Sequence, residues 1–221
     1  MHKFETPAAI SAVLNIPAGR MQFIAADRAD TTVEVRPADP SKSRDVHTAE
    51  QTTVAYADGV LRIEAPESRN RLTGPSGSLE VTIQLPAGSS VEAKAVSCEV
   101  RGVGRLGEVA CEGAYRQIKI DEAASVHLTA TDGDVEVGRL GGPAEISTAR
   151  GDIRIGEAAG GTVVLRTQSG DISLIAAAGV SAALDAETGH GRTSNALKND
   201  GTTTLDIRAT TSHGDITARS L

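Results

Sequence analysis

The chain has 221 residues, of which 39% are hydrophobic and only 2% aromatic, with a formal net charge of -7 and two cysteines. An interior built from Val, Ile, Leu and Ala, without tryptophan, offers no platform for stacking bases or sugar rings, and the negative charge repels phosphate backbones; nucleic acid is therefore excluded as an expected partner. Cys98 and Cys111 are too few for a disulfide framework or a four-ligand zinc knuckle, and are expected as buried free thiols in a reducing compartment.

The N-terminal residues Met1-His2-Lys3-Phe4-Glu5 carry no basic segment leading into an apolar one. Nowhere does an apolar run reach the roughly 18 residues that span a bilayer, so the expectation is a cytoplasmic protein without membrane insertion. Strands are predicted over residues 10–16, 22–26, 31–36, 53–56 and 60–65. Asp58-Gly59 between two apolar runs is a two-residue hairpin signal. The stretches 37–50 and 66–77 are polar and rich in Pro, Ser and Arg, and are read as surface loops. Leu14-Asn15-Ile16-Pro17-Ala18-Gly19 is echoed by Ile83-Gln84-Leu85-Pro86-Ala87-Gly88.

From residue 126 a repeat is plain. Apolar residues alternate through Val126, Leu128 and Ala130, a Gly133-Asp134 corner follows, and Val135 and Val137 resume the alternation. The same template returns around Gly151-Asp152 and Gly170-Asp171, and more loosely around Gly191-Arg192 and Gly214-Asp215. These glycines lie 18, 19, 21 and 23 residues apart. Upstream, 91–100 and 109–120 fall into the same rhythm with degenerate corners. A second corner, at Gly104 to Gly107, Gly138 to Gly141, Gly156 to Gly160 and 176–179, closes each unit, with glycine supplying the positive φ that a tight bend needs.

One such unit buries too few side chains to offset the entropy of ordering it, so neighbours must supply the rest of the core. Stacked copies about 4.8 Å apart satisfy each other's backbone groups. The predicted fold is therefore all-β, a single-stranded β-helix-like solenoid of 18–23-residue coils, with residues 1–85 as an irregular β-region covering the first coil and 86–221 as the repeat array. An antiparallel β-sandwich is the alternative that the same alternation permits.

Gly-Asp-Ile/Val corners at this spacing, the Leu-Pro-Ala-Gly turn and the Ser78-Leu79-Glu80-Val81 strand resemble the bacterial putative-adhesin family of β-strand-repeat proteins, a domain of unknown function. The resemblance implies a β-solenoid and a link to cell-envelope or stress responses, and it implies no catalytic residues.

Among individual residues, Asp134, Asp152 and Asp171 follow the corner glycines and form a column. Asx-turns, each carboxylate accepting from its own corner's amides, are the expected use. A calcium ladder is the sharper alternative, with Arg192 interrupting the column. Arg150-Gly151-Asp152 spells an integrin-binding tripeptide, but its Gly-Asp is the repeat's own corner. His190 and His213 occupy equivalent corners and are expected to lie close together as exposed residues; a metal site would need Asp215 or Glu187 as well. No Ser-His-Asp order, nucleophile elbow or His-Glu-x-x-His motif occurs. The functional expectation is thus a non-enzymatic interaction scaffold without cofactor, with an unknown protein partner and self-association through an open C-terminal edge. A ligand-binding or enzymatic site around Arg44, His47, Arg69 and Arg71 is the alternative, and an exported adhesin a third.

Overall fold

In the computed structural model, residues 1–66, 77–114 and 116–221 are described. The N-terminal third contributes β1 (His2–Glu5), β2 (Ser11–Ala26), β3 (Asp30–Pro37), α1 (Ser43–Gln51), β4 (Thr53–Ala57), β5 (Val60–Glu64) and β6 (Leu79–Pro86). The repeats contribute β7 (Ser90–Ala114), β8 (Ile118–Asp132), β9 (Val135–Leu140), β10 (Ala144–Arg150), β11 (Ile153–Ala158), β12 (Gly161–Ser169), β13 (Ile172–Ala176), β14 (Ala182–His190), β15 (Thr193–Ala196), β16 (Leu205–His213) and β17 (Ile216–Ser220).

Parallel pairing between equivalent positions decides the architecture. Val126, Ala144 and Val163 lie side by side, as do Leu128, Ile146 and Leu165. On the opposite face Val135, Ile153 and Ile172 align in the same way. A sandwich of antiparallel meanders would pair neighbouring strands in opposite senses; these ladders make the fold a β-solenoid. Every second residue of each strand points inward, which in β10 buries Ala144, Ile146 and Thr148 and leaves Glu145 outside.

The core is a set of aliphatic columns running along the stack. Large and small residues alternate where volume demands it. Phe23, 1% exposed, pairs in register with Gly102, and beyond it follow Ile120, Val137, Ile155 and Leu174. A Cβ at Gly102 would meet the Leu106 side chain at 2.9 Å, so the glycine leaves that leucine its place in the core.

The array reaches into the N-terminal third. β2 is a full coil, flanked in parallel by β5 and β6 on one side and by β7 on the other. Beyond it the sense of pairing changes. β4 pairs antiparallel with β5, β3 with β6, and β1 with β3, so the end of the stack is covered by short antiparallel strands rather than by another coil.

Residues 37–50, read from sequence as loop, contain α1. The helix is anchored by its own polar residues. The buried carboxylate of Asp45 accepts the amides of Asp39 and Ser78 at 3.2 and 2.9 Å, and Thr48 Oγ1 accepts the amide of Gly77 at 3.2 Å. Composition alone favoured a loop; the tertiary partners at 77 and 78 select the helix. Most of the second loop, 66–77, lies outside the described residues.

At the other end, the order of coils departs from the order of the chain. β12 pairs with β16, and β16 in turn with β14; β13 pairs with β17, and β17 with β15. The coil of residues 205–220 is thus inserted between those of 161–176 and 182–196. The expected open edge at the C-terminal strand is corrected by this topology: β16 and β17 are paired on both sides, and the outermost strands are β14 and β15. Composition of the inward positions accounts for it. Leu205, Ile207, Ile216 and Ala218 are buried, as an interior coil needs, whereas β15 presents Thr193 and Asn195 at the places of Ile216 and Ala218.

Candidate functional site

The corner glycines stack directly. A Cβ on Gly151 would collide with the Gly133 carbonyl oxygen, one on Gly170 with that of Gly151, one on Gly214 with that of Gly170, and one on Gly191 with that of Gly214. Gly151 also has φ +131°, a conformation closed to residues with side chains. The succession 133, 151, 170, 214, 191 is the spatial order of the coils.

This order rearranges the aspartate column. Oδ1 of Asp134 accepts the amide of Asp152 at 2.9 Å, Oδ1 of Asp152 that of Asp171 at 2.9 Å, and Oδ1 of Asp171 that of Asp215 at 2.8 Å. Oδ1 of Asp215 then accepts the amide of Arg192 at 2.8 Å. Each carboxylate therefore caps the next coil's corner, which corrects the expectation of self-contained Asx-turns. Arg192 closes the column at its end and does not interrupt it. The second oxygens are partly used as well, Oδ2 of Asp152 by Arg154 at 2.6 Å and Oδ2 of Asp215 by Arg192 at 3.4 Å. Among the described residues no group of three or more His, Cys, Asp or Glu is placed to hold a metal ion.

Just before the glycines, Asp132, Arg150, Ser169, His213 and His190 form a parallel column. Arg150 pairs with Asp132 at 2.7 Å, so both charges of the Arg-Gly-Asp sequence are engaged within the stack. The imidazoles of His190 and His213 stack, with centroids 4.8 Å apart and planes 2° from parallel. Their coils are adjacent in the stack, with His190 and His213 in register.

Of the four residues in the alternative N-terminal site, Arg69 and Arg71 lie outside the described residues, and Arg44 and His47 are exposed on α1. A cleft of about 460 Å³ nevertheless opens beside that helix, bounded by Arg20, Asp39, Lys42, Asp45, Glu99 and Arg116 among others. Two of its cations are matched by acids, Arg20 with Glu99 at 3.1 Å and Lys42 with Asp39 at 3.3 Å. The pairing of Asp39 with its surroundings, the Ser41 hydroxyl first and the Lys42 ammonium after it, holds its carboxyl below the ordinary value.

Cys98 and Cys111 are both buried and unpaired. Desolvation pushes each thiol up to about 12, so neither is a ready nucleophile at neutral pH. No helix among the described residues is long and apolar enough to cross a membrane.

The profile of the family described as Toastrack DUF4097 matches residues 16–220. No curated protein shows significant similarity. Among solved structures, a "putative adhesin" from Bacteroides fragilis superposes with a TM-score of 0.58 at 16% identity, over 98% of this chain and 95% of that one. A "putative cell adhesion protein" from Clostridium sporogenes gives 0.41 at 12% identity over 100% and 98%. A "putative adhesin" from Parabacteroides distasonis gives 0.40 at 10% over 98% and 95%. At these identities the likeness is one of fold alone.

Proposed function

From the premise that this chain belongs to the Toastrack DUF4097 family, we propose that it is a non-enzymatic interaction scaffold, a rigid β-stack that recruits another protein. One observation carries the reading: the polar groups of the repeat corners and ladder faces are largely spent on holding coil to coil. The corner carboxylates cap neighbouring amides, Arg150 pairs with Asp132, and Lys119 pairs with Glu136 at 2.8 Å across adjacent strands. What remains for partners is broad ladder faces and an end, surfaces that suit protein contact.

The compartment belongs to the proposal too. Two unpaired, buried cysteines in neighbouring parts of one core suit the reducing cytoplasm. The word adhesin in the relatives' names supports instead an exported protein that contacts surfaces. Cell fractionation with detection of the native protein separates the two, since recovery outside the cytoplasm overturns our placement.

Affinity capture of the tagged full chain from its native cell, followed by identification of what co-purifies, tests the scaffold. A stoichiometric protein partner supports it; recovery of the chain alone after cross-linking overturns it. The cleft beside α1 favours a second reading, a receptor for a small polar ligand carrying both signs of charge, because acids and cations alternate around it. Soaking the protein with amino acids and dipeptides while following its melting temperature tests that reading, and a flat series removes it.

A further inference from the structure

The two outermost strands differ. β15 is only four residues long, is exposed throughout, and places Thr193 and Asn195 at inward positions. Short, polar edges of this kind discourage pairing. β14 is nine residues long and keeps an aliphatic inner side; its first residue, Ala182, is bonded to Lys198 and Asn199 of the same chain, which leaves 183–190 as the open edge. Leu184 continues the column of Val126, Ala144, Val163 and Ile207, and Ala186 the column of Leu128, Ile146, Leu165 and Ala209. Every other member of these columns is buried; Leu184 and Ala186 are half-buried, because no strand follows them. Its outward side carries Asp185 and Glu187, both exposed and, among the described residues, in no ion pair.

We propose that the free edge of β14 takes up an extended segment of a different protein in which apolar residues alternate with lysine or arginine. The proposal rests on the scaffold reading and names its partner class. Added strands keep inward opposite inward and outward opposite outward. An incoming strand therefore needs aliphatic side chains to finish burying Leu184 and Ala186, and cations beside Asp185 and Glu187. A second copy does not meet that need. The outward residues of β14 are Ala183, Asp185, Glu187 and Gly189, so two copies paired along their length set carboxylates against carboxylates. The opposite end of the stack offers β4, whose exposed residues Thr53, Ala55 and Ala57 carry no cation, and the four-residue β1, whose Lys3 is already paired with Asp30 at 3.2 Å and is followed on the same side by Glu5. Like charge along the edge thus keeps copies of this chain apart while remaining complementary to a basic strand.

A labelled eight-residue peptide alternating valine and lysine is titrated into the full chain and followed by fluorescence anisotropy and by amide hydrogen exchange. The expected result is saturable binding with slowed exchange confined to residues 183–190. A block-ordered peptide of the same composition and one alternating valine and glutamate should bind at least tenfold more weakly. In Asp185→Lys/Glu187→Lys the preference should reverse toward the valine–glutamate peptide. Should that variant fail to fold by circular dichroism, exchange protection in the unmodified chain decides alone. Equal binding of the block peptide, protection elsewhere, or concentration-dependent protection of β14 without peptide, the mark of a second copy, each overturns the proposal. A cellular partner captured equally by the unmodified chain and the charge-reversed variant would sink this edge while leaving the scaffold reading standing.

Discussion

Truncating Ile207 and Leu184 to alanine, one at a time, tests the inserted coil directly. Were the coils stacked in chain order, Leu184 would sit between two neighbours and Ile207 at the open end. The structure reverses those places: Ile207 is 1% exposed between Val163 and Leu184, and Leu184 is half-buried at the edge. Ile207→Ala removes three carbons from a closed site, about 2.4 kcal/mol at roughly 0.8 kcal/mol per methylene, and the cavity left between two coils brings the loss to about 3–4 kcal/mol. Leu184→Ala removes as many carbons from a site already open to water on one side and should cost about 1 kcal/mol. Urea unfolding followed by circular dichroism measures both, with unchanged slopes licensing the comparison of midpoints. Equal losses, or a larger loss for Leu184→Ala, would refute the coil order.

Gly151→Ala forces a side chain into φ +131° and against the Gly133 carbonyl, and should cost about 3 kcal/mol or more in the same assay. Asp171→Ala removes the acceptor for the Asp215 amide and should cost about 1 kcal/mol, with Asp171→Asn recovering most of it because an acceptor oxygen remains. The Arg28 guanidinium, and Lys3 after it, hold the Asp30 carboxyl below its ordinary value of 3.8; since the folded pKa lies below the unfolded one, this contact stabilises above about pH 4 and is lost as pH falls through the folded value. An NMR titration should show the Asp30 midpoint rising in Arg28→Ala. Alkylating reagents should leave Cys98 and Cys111 untouched in the native protein and modify both in urea, as read by mass spectrometry, because burial keeps the thiols protonated. Millimolar calcium should leave the melting temperature unchanged, since the corner carboxylates already accept amides from the next coil.

Much of the fold is legible because it is local and periodic. Alternation through Val126, Leu128 and Ala130, closed by Gly133, can be read from a dozen residues, and its recurrence names the neighbours that must stack. α1 was not legible, since Asp45 and Thr48 become helix anchors only when Gly77 and Ser78, just ahead of β6, are brought beside them. The same holds for the corner carboxylates. Their spacing announced a column, but the acceptor geometry, reaching to the next coil instead of the residue's own corner, depends on how far apart the stacked corners lie. One signal for the inserted coil was present in the sequence: Thr193, Ser194 and Asn195 stand where other coils carry an apolar–polar–apolar triplet, as suits a strand with no successor.

By itself the sequence determined the repeating unit, its glycine corners and the aliphatic interior, because each follows from a steric and hydrophobic pattern that is written within about 20 residues and recurs. Only the tertiary structure decided which coil neighbours which. Coils with like corners present nearly interchangeable pairing surfaces, and the choice between them falls to small differences in the side chains they bury, summed over the whole stack.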